Sequence, residues 1–349
     1  MTSPYTIAIS GGRPRPYEDG PINTPVSLNS TYHAGAGAGY ARYGNDTAYA
    51  LEEVIGSLEG GNTLVFNSGM SAIKAVFDNI PLGSIVIASN QGYAGVNATL
   101  NQMQEQGKLI AKFVDISNTA QVLSELDGAY MLWLESPTNP RLDVADLTTL
   151  IRACKSQGTI VGVDNTFATP LTQKPIKLGA DISMNSVTKY MAGHSDVLCG
   201  SISSNNKELL EKIEFSRKIS GTILQSFDAF LALRGIRTFP IRFEKAEANA
   251  KNLVKKLSSH PMITKVYYPG FGAMVSFEVD TDASGADNIC SSSRLIANAT
   301  SLGGVESLWE RRRRWALESK IVPENLIRLS VGCEDVDDLW NDIKYALES

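Results

Sequence analysis

One lysine of this chain is set for chemistry. Lys189 stands in Ser186-Val187-Thr188-Lys189-Tyr190, after the apolar run Ala180-Asp181-Ile182-Ser183-Met184-Asn185 and before Met191-Ala192-Gly193-His194-Ser195-Asp196. A lysine leaving a buried strand loses its proton more readily than a solvated one, because burial penalises the ammonium form. The neutral amine can then attack an aldehyde and form a Schiff base. The competing reading is a loop lysine on the surface, where most lysines lie. Three further groups bear on that choice. Asp164 ends an apolar run as Val163-Asp164-Asn165; a carboxylate there needs a cation, such as a protonated pyridine nitrogen, or else caps the next turn. Asn67-Ser68-Gly69-Met70-Ser71 precedes a helical pattern through Ile73, Val76 and Phe77, so its N–H groups are placed to hold a phosphate, although most such turns bind nothing. Tyr93, in Gln91-Gly92-Tyr93-Ala94-Gly95, either lays its ring over a planar cofactor or packs as an ordinary tyrosine. An amine, a carboxylate, a phosphate cradle and an aromatic platform are the four requirements of pyridoxal 5'-phosphate. Ser186 and Thr188 add hydroxyl donors beside the lysine.

The elements that position these groups follow from periodicity. Ile85-Val86-Ile87-Ala88, Leu109 to Val114, Tyr130 to Leu134 and Ile160 to Val163 are apolar runs, separated by helix-like stretches of about 10 to 15 residues, as βαβ units require. Their nearly continuous apolar character predicts strands buried on both faces. Ligands of such α/β sheets bind beyond the carboxyl ends of the strands, which is where Glu135-Ser136-Pro137-Thr138-Asn139-Pro140, Asp164 and Lys189 fall. Residues 1–46, with Gly-Gly, Arg-Pro-Arg-Pro and an Ala-Gly repeat, predict an extended arm. From Thr47 a helix carries Leu51, Val54, Ile55 and Leu58 on one face, with Asp46 or Thr47 as N-cap and Gly60-Gly61 as stop. Residues 47–235 are expected to form a large cofactor-binding domain with a mostly parallel sheet. Residues 236–349 read as a smaller α+β domain with a long helix (Phe243 to Leu257), strands near Val266-Tyr267-Tyr268 and Met274-Val275-Ser276-Phe277, and a closing strand and helix.

Composition narrows the class. With 349 residues, 43% hydrophobic and 20% charged, the chain can bury a sizeable core, and a formal charge of −5 argues against a nucleic-acid partner. The one basic run, Arg311-Arg312-Arg313-Arg314, reads as a helix of solvated or ion-paired arginines, the alternative being a part in substrate selection or an interface. Four scattered cysteines and a polar N-terminus without a secretory pattern predict no disulfides and a cytoplasmic location. No apolar run is long enough for a membrane span, and three distant histidines offer neither a metal cluster nor a Ser-His-Asp triad.

Seven segments occur in order: Tyr40-Ala41-Arg42-Tyr43-Gly44-Asn45-Asp46-Thr47, Ser68-Gly69-Met70, Glu135 to Pro140, Asp164-Asn165-Thr166, Ser186 to Asp196, Ser301-Leu302-Gly303-Gly304-Val305-Glu306-Ser307 and Arg328-Leu329-Ser330-Val331-Gly332. Through this series the chain resembles, over nearly its whole length, the Cys/Met-metabolism family of pyridoxal-phosphate enzymes. That family includes cystathionine γ-synthase, cystathionine γ-lyase, cystathionine β-lyase and methionine γ-lyase. The resemblance implies the type I fold of pyridoxal-phosphate-dependent transferases, similar to aspartate aminotransferase, and a tetramer built from two dimers. It implies that Lys189 carries the cofactor, Asp164 holds its ring nitrogen, Asn139 lies near its ring hydroxyl and Tyr93 stacks on the ring and assists catalysis. Ser68, Gly69, Met70, Ser186 and Thr188 would hold the phosphate, with Tyr40 and Arg42 reaching in from a neighbouring subunit. Arg328 with Ser301 would bind the substrate α-carboxylate.

Two departures bear on substrate choice. Thr300 stands where many cystathionine-handling members have a glutamate, and the arginine run with Trp309 and Trp315 replaces a Thr-His-Ala-Ser stretch. The leading expectation is a γ-lyase acting on a small-molecule sulfur amino acid, L-cystathionine. The alternatives are γ-synthase chemistry on a homoserine ester, β-lyase or methionine γ-lyase activity, and, in another class, a non-catalytic protein that binds the cofactor.

Overall fold

The computed structural model describes residues 2–35 and 39–349. Seven strands, β1 (Asn62–Phe66), β2 (Ser84–Ser89), β3 (Leu109–Val114), β4 (Ala129–Glu135), β5 (Ile160–Asp164), β6 (Ile182–Ser186) and β7 (Gly200–Ser204), form one sheet in the order β1-β7-β6-β5-β4-β2-β3. From β3 to β6 neighbouring strands are parallel, while β7 runs antiparallel to both β6 and β1. A second sheet holds β8 (Ile263–Tyr267), β9 (Met274–Val279), β10 (Ala297–Asn298), β11 (Leu308–Arg311) and β12 (Leu326–Ser330), in the order β10-β11-β12-β9-β8. No helix among the described residues is long and apolar enough to cross a membrane.

The apolar runs form strands near their expected bounds, with one difference in burial. β3 is an edge strand, so Ile110 stays half exposed. In the centre of the sheet Trp133 of β4 packs edge-on to Phe77 with ring centroids 5.1 Å apart. Gly162 of β5 makes room for that ring, since a Cβ there would lie 2.6 Å from it. β1 and β7 were not legible as apolar runs. β7 is Gly-Ser-Ile-Ser-Ser, and its small polar side chains are nonetheless buried.

The first four helices are α1 (Pro4–Ser10), α2 (Asp46–Glu59), α3 (Gly69–Phe77) and α4 (Ala94–Glu105). α1 corrects the reading of residues 1–46 as wholly extended. Ser3 caps it, and Arg237 donates to the carbonyls of Ala8, Ile9 and Gly11 at its far end, while Ala8 is buried in the main core. The cap of α2 is also corrected: Asn45, rather than Asp46 or Thr47, accepts the Ala48 N–H at 2.9 Å. Gly60 ends that helix at φ 86°, in the left-handed region open to glycine. The long helix of the second half begins at Phe239, four residues before the apolar periodicity shows, because Pro240 suits a first turn that needs no N–H.

Glu59, the last residue of α2, ties this helix to the sheet beneath the carboxyl ends of β5 and β6. It is fully buried, accepting from Asn165 Nδ2 at 3.1 Å, Asn185 Nδ2 at 2.7 Å and Ser183 Oγ at 2.9 Å. Removing it strands three buried donors, each worth about 1 to 3 kcal/mol when left unpaired. Glu59→Ala is therefore expected to lower the stability of the cofactor-loaded protein by roughly 2 to 4 kcal/mol, and Glu59→Gln by less, because one acceptor oxygen remains. Urea unfolding at matched cofactor loading measures this, and equal midpoints for all three proteins would refute the role given to Glu59.

Candidate active site

A cavity of about 220 Å³ lies where the carboxyl ends of β4, β5 and β6 face residues 300–302 and Arg328 of the second sheet. Lys189 reaches it from a turn three residues beyond β6, wound by Lys189 N–H to Ser186 O at 3.0 Å and Gly193 N–H to Lys189 O at 2.8 Å. Burial, reinforced by the nearby Arg328 guanidinium, pushes the amine down to about 8. Its Nζ donates to Ser301 Oγ at 2.7 Å. Ser301 has φ 114°, a conformation a residue with a Cβ rarely adopts, and the same residue offers its carbonyl to Arg328 Nη2 at 3.1 Å.

Asp164 ends β5 as a buried carboxylate whose partner is the Thr166 N–H at 3.0 Å. Burial raises its carboxyl above the usual range, and among the described residues no cation pairs with it. Thr166 Oγ1 in turn accepts the Ser186 N–H at 2.8 Å, locking the ends of β5 and β6 together. Beside Asp164 in the β4–β5 register stands Glu135, also buried. Its carboxylate accepts the backbone N–H of Tyr93, which fixes the start of α4 and brings Tyr93 to the cavity wall. Burial, then the neighbouring Asp164, raises the Glu135 carboxyl well above its ordinary range.

Ser68 caps α3 by accepting the Ser71 N–H at 3.1 Å, which leaves the N–H groups of Gly69 and Met70 without protein acceptors among the described residues. Ser186 sits against this turn, and Gly200 of β7 allows the approach, because a Cβ there would come 2.3 Å from Ser68 O. Asn139 accepts from Arg328 Nη1 at 2.8 Å through Oδ1, which sets its amide NH2 on the other side. The donor set fits pyridoxal phosphate: a buried carboxylate lacking a cation, orphan N–H donors at a helix start, an amide and a depressed lysine line one cavity.

Twelve of the fourteen residues expected at the site line this cavity: Ser68, Gly69, Met70, Tyr93, Asn139, Asp164, Ser186, Thr188, Lys189, Thr300, Ser301 and Arg328. Thr188 differs in detail, since its hydroxyl accepts Cys199 N–H at 2.8 Å and donates to Cys199 O at 3.2 Å, tying the lysine loop to the segment entering β7. Tyr40 and Arg42 lie outside the cavity of their own chain. Arg42 lies over the Tyr40 and Tyr43 rings and donates to Lys218 O at 2.9 Å.

The arginine run is ion-paired, as one of its two readings expected, but it is not a helix. Arg311 ends β11 and Arg312–Arg314 form a single 3-10 turn. All four are ion-paired: Arg311 with Asp287, Arg312 with Glu310 and Glu318, Arg313 with Glu324, and Arg314 with Glu310. Buried Glu310 is the hub. Its Oε1 accepts from Arg328 at 2.8 Å and Arg312 at 2.6 Å, and its Oε2 accepts from Arg314 and Trp315 at 2.9 Å and from Thr300 at 3.1 Å. Burial opposes its charge, but Arg328 and Arg312 prevail and hold the carboxyl down to about 2. The sequence reading did not single out Glu310 or Glu318, and it named Glu135 and Arg312 only as members of the segment after β4 and of the basic run. The available signal was the set of glutamates at 310, 318 and 324 around the basic run, which match it in charge.

Comparison with known proteins accords with this geometry. The family of Cys/Met metabolism PLP-dependent enzymes matches residues 5–348. A cystathionine beta-lyase of Lactococcus lactis subsp. cremoris is 37% identical over 384 aligned positions that cover all of both chains, so it carries segments this chain lacks. A cystathionine gamma-lyase of Bacillus subtilis is 35% identical, with 99% of each chain covered. Among solved structures, cystathionine gamma synthase from Xanthomonas oryzae pv. oryzae in complex with cystathionine superposes with a TM-score of 0.95 at 31% identity, covering 100% of this chain and 98% of the other. The protein is thus a pyridoxal-phosphate-dependent enzyme of transsulfuration chemistry, and it belongs to the Cys/Met metabolism family of PLP-dependent enzymes.

Proposed function

We propose that this enzyme cleaves L-cystathionine at its Cγ–S bond, consuming water and releasing cysteine, 2-oxobutanoate and ammonia. The observation that carries the reading is Lys189 Nζ, depressed to about 8 and held on Ser301 Oγ in the cavity that Arg328 and Asp164 also line. Pyridoxal phosphate, when bound, supplies the electron sink that acidifies the substrate Cα–H. Asp164 would keep the ring nitrogen protonated, while Gly69 and Met70 N–H with the Ser68 and Ser186 hydroxyls would hold the phosphate. Arg328, braced by Asn139 and Glu310, donates to the substrate α-carboxylate, with Ser301 and Thr300 at the same wall. Lys189 Nζ takes the proton from Cα, moves a second from Cβ, and returns protons as the sulfur departs. The Tyr93 phenol, at the cavity wall, would supply a proton to the leaving sulfur.

The enzyme works, in this proposal, as a homotetramer of two dimers, in which Tyr40 and Arg42 of the arm formed by residues 1–46 complete the phosphate site of a neighbouring subunit. Their position away from the cavity of their own chain supports that role. The division into a large domain of residues 47–235 and a C-terminal domain of residues 236–349 belongs to the same proposal. So does a cytoplasmic location, which four free thiols suit.

Two outcomes are expected. Incubated with L-cystathionine, the loaded enzyme yields cysteine with 2-oxobutanoate by mass spectrometry, and Lys189→Ala yields neither. Homocysteine with pyruvate would place the cleavage on the β side, and inertness towards cystathionine with turnover of an activated homoserine plus cysteine would replace lyase by γ-synthase activity. The second outcome concerns pH. Only neutral Lys189 can attack the cofactor aldehyde, so covalent capture of pyridoxal phosphate by apo-protein accelerates as pH rises and levels off above about 8. Stopped-flow absorbance gives that profile, and a plateau reached only near the ordinary lysine range would refute the depressed amine.

A further inference from the structure

Glu135 and Asp164 are the last residues of neighbouring parallel strands and pair in register, so their side chains leave the sheet on one face. Both are buried and both line the cavity. Among the described residues neither carboxyl is in a salt bridge. Two carboxyls so placed, away from water, do not both ionise at neutral pH, and one of them keeps a proton. Their partners decide which. Asp164 accepts the Thr166 N–H and, in the reading above, also takes the ring cation of the cofactor. The Glu135 side chain has the Tyr93 N–H as its single hydrogen-bond partner among the described residues. Burial, the largest effect, and the charges of Asp164 and Glu318 oppose its ionisation, while the Tyr93 N–H and the more distant Arg328 favour it. Tyr93 for its part opens α4 with no cap from its own side chain. Its N–H is held from β4 by Glu135 Oε2, and Gly92 leaves the room, since a Cβ there would lie 3.3 Å from that oxygen. One carboxyl therefore touches the turn that sets the Tyr93 ring and adjoins the carboxylate that meets the cofactor.

We propose that Glu135 is a positioning residue that works as a neutral acid: one oxygen fixes Tyr93 at the cavity wall, and the retained proton leaves Asp164 as the one negative charge facing the cofactor ring. The inference rests on the reading of Asp164 and Tyr93 as the groups that meet the ring. An ionised Glu135 would hold Tyr93 equally well but would set a second negative charge beside Asp164, with no cation to balance it.

Two variants separate the acid from its charge. Glu135→Gln copies the neutral acid, with an acceptor oxygen for the Tyr93 N–H and a donor in place of the hydroxyl. Glu135→Asp keeps an ionisable group but is one methylene short of Tyr93. The expected ranking is that Glu135→Gln binds pyridoxal phosphate within about threefold of wild type and keeps the visible circular dichroism of the bound cofactor. Glu135→Asp should bind it about 3- to 10-fold more weakly, as loss of an aromatic contact implies, with altered dichroism. The reverse ranking would show that the charge is what the site needs and overturns the proposal. Infrared difference spectra of the loaded protein at pH 7, wild type minus Glu135→Gln, should carry the carbonyl band of a protonated carboxyl. Carboxylate bands in its place also overturn the proposal, and Glu135→Leu supplies the same difference spectrum if the amide variant does not fold. Neither reading needs turnover, so a protein that passes both but leaves L-cystathionine intact would refute the lyase reading and not this one.

Discussion

The architecture of the site depends on keeping several cations together in a place with little water. Lys189, Arg328 and Arg312 line one cavity, and Arg314 closes against its wall. Like charges this close repel strongly at low dielectric, and each loses its hydration on burial. Glu310 makes the arrangement possible. It lies among three guanidiniums, each oxygen accepting from at least two donors, and Glu318 takes the outer edge of Arg312. Within this arrangement the lysine is the cation that gives up its proton most readily. Burial and Arg328 both favour the neutral amine, the form that nucleophilic and base chemistry require.

The same contacts join the two sheets. Lys189 to Ser301, Arg328 to Asn139, Ser276 Oγ to Pro140 O at 2.6 Å and Val305 N–H to Gly193 O at 3.0 Å all run from the large sheet and its loops to the second half of the chain. Catalytic geometry and tertiary cohesion therefore draw on one set of interactions. A shift of the second sheet would move Ser301 and Arg328 relative to Lys189, so substrate binding and proton transfer are coupled to how the two halves sit. The unusual backbone of Ser301 belongs to this join. The residue must present its hydroxyl to one half and its carbonyl to a guanidinium of its own half.

On the other wall the ordering comes from strand register. Glu135 and Asp164 stand side by side because β4 and β5 pair in register, and the two acids take different partners. Glu135 holds the start of α4 through Tyr93, while Asp164 accepts the Thr166 N–H and pairs with no cation among the described residues. Behind them Glu59 anchors α2 to the residues flanking both strand ends. Three buried carboxylates thus organise this side as Glu310 and Glu318 organise the other.

The chain by itself determined most of the residues that meet at the cavity. Lys189, Asp164, Tyr93 and the Ser68-Gly69-Met70 turn each follow a strand that is readable or a helix start with a recognisable cap, so local periodicity sufficed to place them beyond the sheet. β7 escaped such reading, because Gly-Ser-Ile-Ser-Ser has no apolar alternation and becomes a strand only between partners that bury it. The arginine run was read only in part, its ion pairing anticipated but not its turn or its burial, for a related reason. A row of charges carries no periodicity that tells solvent from buried partners, and only tertiary structure brings Asp287, Glu318 and Glu324 to Arg311, Arg312 and Arg313. Local sequence encodes spacing along the chain, whereas the compensation of buried charge is a contact between distant segments. That is why most of the cavity-lining groups were legible in the sequence, and why the second guanidinium of the cavity took its place only in the fold.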